Sequence, residues 1–229
     1  MATTNTRRKV ERVYELLYDE YGPQHWWPAD TPFEVCIGAI LTQSTSWTNV
    51  EKAIANLKAA GLLSPGGLRA ARPARIAGLI RPSLYYNVKA RKLKEFVGFL
   101  YRGYGGRVES MADVPLDALR VELLGVWGLG PETVDSILLY ALDKQSFVVD
   151  AYTKRIFSRL GLAAEDAGYD DLKRLFEDNL CGGRRLYNEY HALIVEHGKN
   201  TCKPKPICGA CHLRRLCDSA SFYLSGSKD

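Results

Sequence analysis

Four of the six cysteines stand close together near the carboxyl end of the chain. Cys202, Cys208, Cys211 and Cys217 are separated by five, two and five residues, so all four lie within sixteen residues. A segment this short and this rich in proline and glycine usually folds around a metal centre. Zinc and a [4Fe–4S] cluster both accept four thiolates. Zinc ribbons more often use two Cys-x2-Cys pairs, so the single pair with wider gaps on both sides favours the iron–sulfur cluster.

A second pattern with chemical potential is Gly128-Leu129-Gly130, directly before a predicted helix that starts with Pro131. Two glycines around one apolar residue let backbone N–H groups at a helix N-terminus approach an anion such as a phosphate. Turns of this kind can also hold a monovalent cation through their carbonyl groups. An ordinary corner between two helices has the same pattern, and these residues alone leave that alternative open.

Asp150 stands eighteen residues beyond Glu132 and ahead of a helix predicted from Tyr152. A carboxylate at this place can act in two ways. It can serve a reaction centre by stabilising positive charge or by activating water. It can also cap the following helix by accepting backbone N–H groups. The two roles are compatible.

The elements that must position these residues are helical. Apolar residues recur at helical spacing over most of the chain, and strand patterns are nearly absent, so an all-α chain of about ten short helices is predicted. The main predicted helices are 7–21, 32–41, 49–60, 73–80, one ending near 101, 114–124, 131–142, 152–160, 169–181 and 186–197. Leu116, Leu119, Leu123 and Leu124 are expected on one buried face. Residues 65–67 are predicted to form a turn, and 146–149 a strand or a buried extended connector.

Composition limits the classes of protein that are compatible with the chain. It has 229 residues, 46% hydrophobic and 25% charged, which suits one large domain or two small ones. No apolar run is long enough to cross a membrane, and no apolar segment follows the basic residues at the start. A cytoplasmic protein is therefore expected, nucleoid-associated if prokaryotic. The net charge of +5 permits nucleic-acid binding without requiring it.

The chain resembles the endonuclease III superfamily of DNA repair glycosylases. The resemblance lies in three features in this order on an all-α chain: the hairpin formed by Gly128-Leu129-Gly130 between two predicted helices, Asp150, and the cysteine cluster. The resemblance covers nearly the whole chain. The first cysteine gap is one residue shorter than the Cys-x6-Cys-x2-Cys-x5-Cys pattern of that family. Residues 26–28, 41–47 and 80–90 are most similar to the branch of type III 3-methyladenine DNA glycosylases.

The resemblance implies two helical domains on either side of a DNA-binding cleft. The six-helix domain is expected over 29–142, with the helix-hairpin-helix at about 114–142. The second domain is expected to combine 1–28 with 143–229 and to carry the cluster loop 202–217. The implied partner is double-stranded DNA with a damaged base, which is flipped out of the helix. A monomer without membrane association is expected.

The resemblance also implies a reaction. Asp150 matches the essential aspartate of the family, which would stabilise the positive charge that develops on the sugar when an N-glycosidic bond breaks. Glu132 occupies the position where bifunctional members carry the lysine that forms a Schiff base. A monofunctional DNA glycosylase without an efficient lyase step is therefore predicted, although Lys144 or Lys154 could supply a displaced amine. His191 and His197 are interpreted as structural residues.

Aromatic residues indicate the substrate. Trp26, Trp27, Pro28 and Trp47 resemble the base pocket of the alkyl-purine branch. Electron-rich indoles attract a purine that is methylated at a ring nitrogen by roughly 0.5–2 kcal/mol, so an alkylated purine such as 3-methyladenine is predicted. The same tryptophans could simply pack onto the core. Uracil, thymine mispaired with guanine and an oxidised base remain alternatives, as does, more remotely, a non-catalytic DNA-binding iron–sulfur protein.

Several residues are expected to contact DNA. By resemblance, Gln43 fills the space left by the flipped nucleotide, Tyr85 acts as a wedge with Leu84 as the neighbouring candidate, and the hairpin binds phosphate. The cluster segment has no acidic residue between positions 199 and 215. Its five basic residues are predicted to meet phosphates: Lys199, Lys203, Lys205, Arg214 and Arg215. Ordinary solvation of this basic face is the alternative.

Overall fold

The computed structural model describes residues 4–225, and every regular element in this range is helical. The α-helices are α1 (Thr4–Tyr21), α2 (Pro32–Leu41), α3 (Trp47–Ala59), α4 (Pro65–Ala70), α5 (Pro73–Leu79), α6 (Tyr86–Tyr104), α7 (Leu116–Leu124), α8 (Pro131–Ser136), α9 (Ala151–Arg159), α10 (Tyr169–Glu177), α11 (Gly183–Asn200) and α12 (Ala220–Ser225). A π-helical turn, Ile137–Ala141, continues α8. The predicted all-α fold is confirmed. None of the described helices is long and apolar enough to cross a membrane.

The chain divides into two compact units. One unit is Trp27–Ser146, and the other combines the described residues up to Trp26 with those from Phe147 onward. The divisions therefore fall at 26/27 and 146/147, whereas the domain boundaries expected from the sequence are 28/29 and 142/143.

Helix α2 forms the centre of the 27–146 unit because it is apolar on all sides, and every residue from Phe33 to Leu41 is buried. Thr31 caps it by accepting the Glu34 N–H at 3.1 Å. Thr31 and Glu34 have the sequence pattern of a capping box, but its second half is altered. The Glu34 carboxylate accepts the N–H of Asp30 at 3.3 Å instead of the Thr31 N–H, and it pairs with Lys58 at 2.8 Å.

Two local predictions in this unit are wrong. Residues 65–67 begin α4 instead of forming a turn, because Pro65 occupies the first position and the Ser64 hydroxyl accepts the Gly67 N–H at 3.0 Å. Leu124 is 38% exposed, so it does not lie on the buried face of α7. Val126 and Leu129, which follow α7, enter the core.

The second unit is built around an aromatic core. The rings of Phe147 and Phe176 stack with centroids 3.8 Å apart, and Tyr190 contacts both edge-on. The Tyr190 hydroxyl donates to the carbonyl of Val10 in α1 at 2.8 Å. Residues 147–149 are a buried extended connector and not a strand. This connector leads directly to Asp150.

Several helix ends in this unit differ from the predictions, including the starts of α1 and α11, which lie three residues earlier. Two further ends bear on packing. Helix α11 continues through Gly198 to Asn200. A Cβ at Gly198 would lie 2.4 Å from Cδ1 of Tyr152. Gly198 therefore serves close packing between α9 and α11 and does not end the helix. Helix α10 ends at Glu177, so Cys181 lies outside it and is exposed, with Arg7 donating to its sulfur at 3.2 Å. Cys36 is fully buried.

Candidate functional site

Asp150 is the N-cap of α9. Its Oδ1 accepts the backbone N–H of Thr153 at 2.8 Å and the Thr153 hydroxyl at 2.9 Å. Its Oδ2 lies 3.7 Å from Nε2 of His191 in α11. The carboxylate is 13% exposed, and three groups on two helices hold it in place. The capping role that the sequence indicates is therefore present, and it orients the second oxygen.

The surroundings keep this carboxylate ionised. Burial acts to raise the pKa of Asp150, but the facing His191 at 3.7 Å and the two hydrogen bonds from Thr153 hold the pKa below its usual value. His191 is predicted from the sequence to be a structural residue, and in the structure it lies opposite Asp150. No local signal connects these residues, because they lie on different helices and meet only in the folded unit.

The hairpin between α7 and α8 depends on glycine at one position in particular. Gly128 has a φ of +87°, and a Cβ there would lie 2.6 Å from Cγ of Lys92. Gly130 is the N-cap of α8, with an extended φ of −94° and open space around it. The side chain of Leu129 is buried, so only its backbone is available at the hairpin.

A buried ion pair fixes the two helices of the hairpin to each other. Arg120 of α7 donates from Nε and Nη2 to the two carboxylate oxygens of Asp135 at 2.9 and 3.1 Å. Asp135 is fully buried, and it also accepts the hydroxyl of Ser146 at 2.7 Å. Bidentate pairing of this kind restricts orientation as well as distance. The pair links the hairpin to the end of the connector that precedes Asp150.

Glu132 is exposed in the first turn of α8. A carboxylate suits this position because the helix dipole favours negative charge at an N-terminus. Lys144 and Lys154 are the two lysines that the sequence offers as a displaced amine for a lyase step. Lys144 donates to the carbonyls of Ala112 and Val114 at 2.8 and 2.7 Å, and Lys154 is exposed on α9.

Trp27 and Trp47 come together, as the pocket hypothesis requires. Their ring centroids are 5.0 Å apart in an edge-to-face contact. Tyr140, which the sequence analysis missed, lies 5.1 Å from Trp27. Gly38 allows the two indoles to pack closely on α2, because a Cβ there would lie 3.3 Å from Cζ2 of Trp27. The Trp47 indole N–H donates to Glu51 at 3.0 Å.

The other two proposed pocket residues are Trp26 and Pro28. Trp26 belongs to the other compact unit, where the Lys199 ammonium lies 5.4 Å from its ring centroid. Pro28 is exposed.

The candidate DNA-inserting residues differ in their surroundings. Leu84 and Tyr85 are 50% and 68% exposed, and both have positive φ values, of 61° and 43°. Such backbone is strained for residues with a Cβ. Gln43 instead faces the hairpin, where its Nε2 donates to the carbonyl of Gly128 at 3.2 Å and to the hydroxyl of Thr133 at 2.8 Å.

The four clustered cysteines line one pocket with mostly apolar walls. Arg159 lies at its edge and donates to the sulfur of Cys202 at 3.3 Å. Burial raises the pKa of the Cys211 thiol to about 11, and the neighbouring sulfurs add to this effect. Within residues 4–225, no three His, Cys, Asp or Glu side chains converge on one point as ligands of a single ion. The five basic residues proposed for phosphate contact are all exposed.

Comparison with known proteins identifies the family. Residues 37–180 match the family model described as HhH-GPD superfamily base excision DNA repair protein. One relative is a protein of Methanocaldococcus jannaschii that is provisionally named as a DNA repair glycosylase. It is 50% identical to this chain, and the match covers 93% of this chain and 97% of that protein. Endonuclease III of Thermotoga maritima is 32% identical, with 86% of each chain covered.

Two solved structures extend the comparison. The 3-methyladenine DNA glycosylase of H. pylori bound to 1,N6-ethenoadenine is 29% identical with a TM-score of 0.73, and 85% of this chain and 97% of that one are covered. A thermostable thymine-DNA glycosylase is 25% identical with a TM-score of 0.76, and the covered shares are 96% and 100%. The matched family model and these relatives agree, and the chain belongs to the HhH-GPD superfamily of base excision DNA repair proteins.

Proposed function

We propose that this DNA glycosylase is monofunctional and hydrolyses the N-glycosidic bond of an alkylated purine such as 3-methyladenine. The observation that carries the proposal is the geometry of Asp150, whose Oδ1 accepts two hydrogen bonds from Thr153 and whose Oδ2 faces His191 at 3.7 Å. A negative charge that is already oriented stabilises a developing cation without reorganisation during the reaction.

The division of roles around Asp150 follows from its contacts. Thr153 occupies Oδ1, so Oδ2 is the oxygen available to the sugar or to an attacking water. As the bond to the base breaks, positive charge develops on the sugar, and the carboxylate offsets it. The same group can accept a proton from the water that attacks C1′. His191 acts as a positioning residue, because it fixes the oxygen that faces it.

Glu132 supports the absence of a lyase step. A carboxylate at the start of α8 cannot form a Schiff base with C1′, so the product is an abasic site in an intact strand. This outcome also requires that no other amine takes over, and Lys144 is occupied by two backbone carbonyls.

The preference for an alkylated purine is supported by the cluster of Trp27, Trp47 and Tyr140 and by the likeness to the H. pylori enzyme. A ring-methylated purine is cationic and is attracted by aromatic faces. It is also a good leaving group, so no general acid is needed at the base. Because Trp27 and Trp47 touch each other, the base would lie against an outer face of the cluster and not between the two indoles.

A second candidate substrate is uracil or thymine mispaired with guanine. The thymine-DNA glycosylase matches nearly all of this chain, with a TM-score of 0.76. A neutral pyrimidine gains little from cation–π attraction, so under this alternative the aromatic cluster would contribute shape and stacking only.

We further propose that Cys202, Cys208, Cys211 and Cys217 hold a [4Fe–4S] cluster. Four thiols on one apolar pocket suit a group that needs four thiolates and exclusion of water, and Arg159 would compensate part of their negative charge. The bound cluster would crosslink the 202–217 loop. The loop then presents its lysines and arginines to DNA phosphates at fixed positions.

The hairpin and its neighbours complete the proposed DNA contacts. Backbone groups of Gly128, Leu129 and Gly130 would bind phosphate, with a monovalent cation on the hairpin carbonyls as an additional feature. Leu84 and Tyr85 would insert at the distorted base step, and Gln43 would face the vacated position.

The decisive experiment offers the purified protein three DNA substrates: a methylated duplex, a duplex with uracil opposite guanine, and one with thymine opposite guanine. Released bases are identified by mass spectrometry, and Asp150→Asn serves as the matched variant because asparagine can still cap α9. Release of 3-methyladenine by the wild type alone supports the proposal. Release of only uracil or thymine favours the second candidate. If the two proteins release a base equally, the role of Asp150 is refuted. If neither releases any base, both the alkyl-purine proposal and the mispair alternative fail, and a duplex with an oxidised base is the next substrate.

A further inference from the structure

Helix α6 contains a lysine whose ammonium group is buried. Lys89 is 2% exposed, and its Nζ donates to the carbonyl of Leu41 at 2.8 Å and to the carbonyl of Ser83. A buried ammonium group requires partners, because transfer from water without hydrogen bonds is costly. Lys89 satisfies this requirement with two backbone carbonyls from two different segments.

Both carbonyls belong to residues that stand one or two positions before the residues proposed to enter DNA. Leu41 is the last residue of α2 and lies two positions before Gln43. Ser83 immediately precedes Leu84 and Tyr85. The backbone N–H of Lys89 also donates to the carbonyl of Tyr85 at 3.0 Å. Lys89 therefore binds the chain on both sides of the Leu84–Tyr85 pair.

This pair needs such support. Leu84 has φ 61° and ψ 166°, a region that is essentially restricted to glycine, and Tyr85 is left-handed. Both side chains are exposed, so they gain little from burial. A strained backbone persists only where neighbouring groups hold it, and here the bonds from Lys89 do so.

A second lysine, one turn later on α6, extends the contact to the hairpin. Lys92 donates to Oε1 of Gln43, and the other end of the Gln43 amide donates to Gly128 and Thr133. The aliphatic part of Lys92 also lies beneath Gly128, where a Cβ would come within 2.6 Å of its Cγ. Lys92 thus connects α6 with the Gln43 side chain and with the hairpin.

We propose that Lys89 and Lys92 are positioning residues that hold the Leu84–Tyr85 pair, the Gln43 turn and the hairpin in one fixed arrangement. The three segments then meet the DNA as one preformed surface, and extrusion of the damaged base depends on both lysines. The inference rests on the proposed function in that it takes Gln43, Leu84 and Tyr85 as the inserting residues. Neither lysine is assigned contact with the reacting bond.

The same helix offers a matched control. Lys94 donates to the carbonyls of Leu68, Arg69 and Ala71 at 3.1, 2.6 and 3.2 Å, and so fixes the end of α4. It resembles Lys89 in its chemistry, since one ammonium group binds several backbone carbonyls. It differs in that none of these carbonyls belongs to the three segments. Methionine is the substitution of choice at all three positions, because it keeps an unbranched apolar side chain and removes the donors.

The test separates base extrusion from bond cleavage. Lys92→Met, Lys89→Met and Lys94→Met are compared with the wild type in two assays. The first records the fluorescence of 2-aminopurine placed beside a stable abasic-site analogue in a duplex, which reports local unstacking without any cleavage. The second measures single-turnover excision of an alkylated purine, the proposed substrate, in two settings, paired in a duplex and unpaired in a bulge, where extrusion costs less.

For Lys92→Met and Lys89→Met we expect a smaller fluorescence rise and a loss of about tenfold in excision of the paired lesion. Excision of the bulged lesion should stay within about twofold of the wild type. Lys94→Met should match the wild type in both assays. Lys89→Arg should restore part of the loss, because a guanidinium can also donate to two carbonyls.

Other outcomes overturn the proposal. Equal losses on paired and bulged lesions would mean that the lysines serve the reaction centre or general stability, and unchanged fluorescence in Lys92→Met would mean that they position nothing. If thermal denaturation shows that Lys89→Met does not fold, the half-buried Lys92 decides the question. If the wild type excises none of the lesions, the proposed function fails, and the fluorescence assay still tests the role of the lysines.

Discussion

Asp150 and His191 face each other from the start of α9 and the middle of α11, with Oδ2 and Nε2 3.7 Å apart. The other oxygen of the same carboxylate caps α9 through Thr153. One side chain therefore begins a helix and also presents an ionised oxygen in a fixed direction. The pairing makes the ionisation of Asp150 depend on a residue 41 positions away in the sequence.

His191→Gln should raise the pKa of Asp150. In the wild type this pKa is lowered, so the carboxylate contributes stability above its usual pKa of about 3.9 and loses that contribution as the pH falls through the lower value of the folded state. Without His191, the loss begins at a higher pH. Melting temperatures of both proteins between pH 3 and 7 check this, with Asp150→Asn as the variant that lacks the carboxylate. If the melting temperatures of His191→Gln and the wild type fall in the same way as the pH is lowered, the pair does not set the pKa of Asp150.

Glu132→Lys should introduce covalent chemistry. Position 132 is exposed in the first turn of α8, so a lysine fits, and it should reduce stability by no more than about 1 kcal/mol through the helix dipole. Borohydride reduction during the reaction should trap a protein–DNA adduct with the variant and none with the wild type. An adduct with the wild type would reveal an amine elsewhere, and Lys144→Met and Lys154→Met would then locate it.

Gly128→Ala and Gly130→Ala should differ sharply although they are two residues apart. Alanine at 128 combines a positive φ with a contact of 2.6 Å to Lys92, so a loss of about 1–3 kcal/mol in the free energy of unfolding is expected. Alanine at 130 enters open space with an ordinary φ, and its effect should lie within about 0.5 kcal/mol. Urea denaturation of both variants measures the difference. Similar losses in the two would contradict the role assigned to Lys92 packing.

Trp47→Ala should reduce excision of a cationic lesion more than excision of a neutral one. If its indole contributes cation–π attraction, the selectivity for 7-methylguanine over hypoxanthine should fall by an amount equivalent to about 0.5–2 kcal/mol. Trp47→Phe should lie in between. Single-turnover rates on the two lesions give the ratio directly. An unchanged ratio would favour the neutral-pyrimidine alternative.

Protein purified without oxygen should contain about four iron atoms and four sulfides per chain, with little zinc. Cys211→Ser should lose most of this iron because the residue lines the shared pocket. Cys181→Ser is the control, since Cys181 is exposed and lies outside that pocket. Elemental analysis of the three proteins decides the matter. A content of one zinc per chain, with little iron, would show that the four cysteines form a mononuclear zinc site and not an iron–sulfur cluster.

Much of the fold was accessible from local pattern. The cap at Asp150 and the helix predicted over 32–41 depend on neighbours within one or two turns, and both are present. The errors have long-range causes. Gly198 was expected to end a helix, as glycines often do, but Tyr152 from another helix occupies the space beside it. Leu124 fits the helical period of α7, yet Val126 and Leu129 fill the core in its place.

The sequence by itself determined the types of chemistry available: four thiols at cluster spacing, a hairpin with two glycines, an aspartate ahead of a helix, and a glutamate where an amine would be needed for a lyase. These are properties of residue type and short spacing. Only the tertiary structure decided the pairing of Asp150 with His191, the addition of Tyr140 to the tryptophans, and the contact of Lys89 with two segments. Each of these joins residues from separate elements, and such contacts form only when the packed helices bring the side chains together.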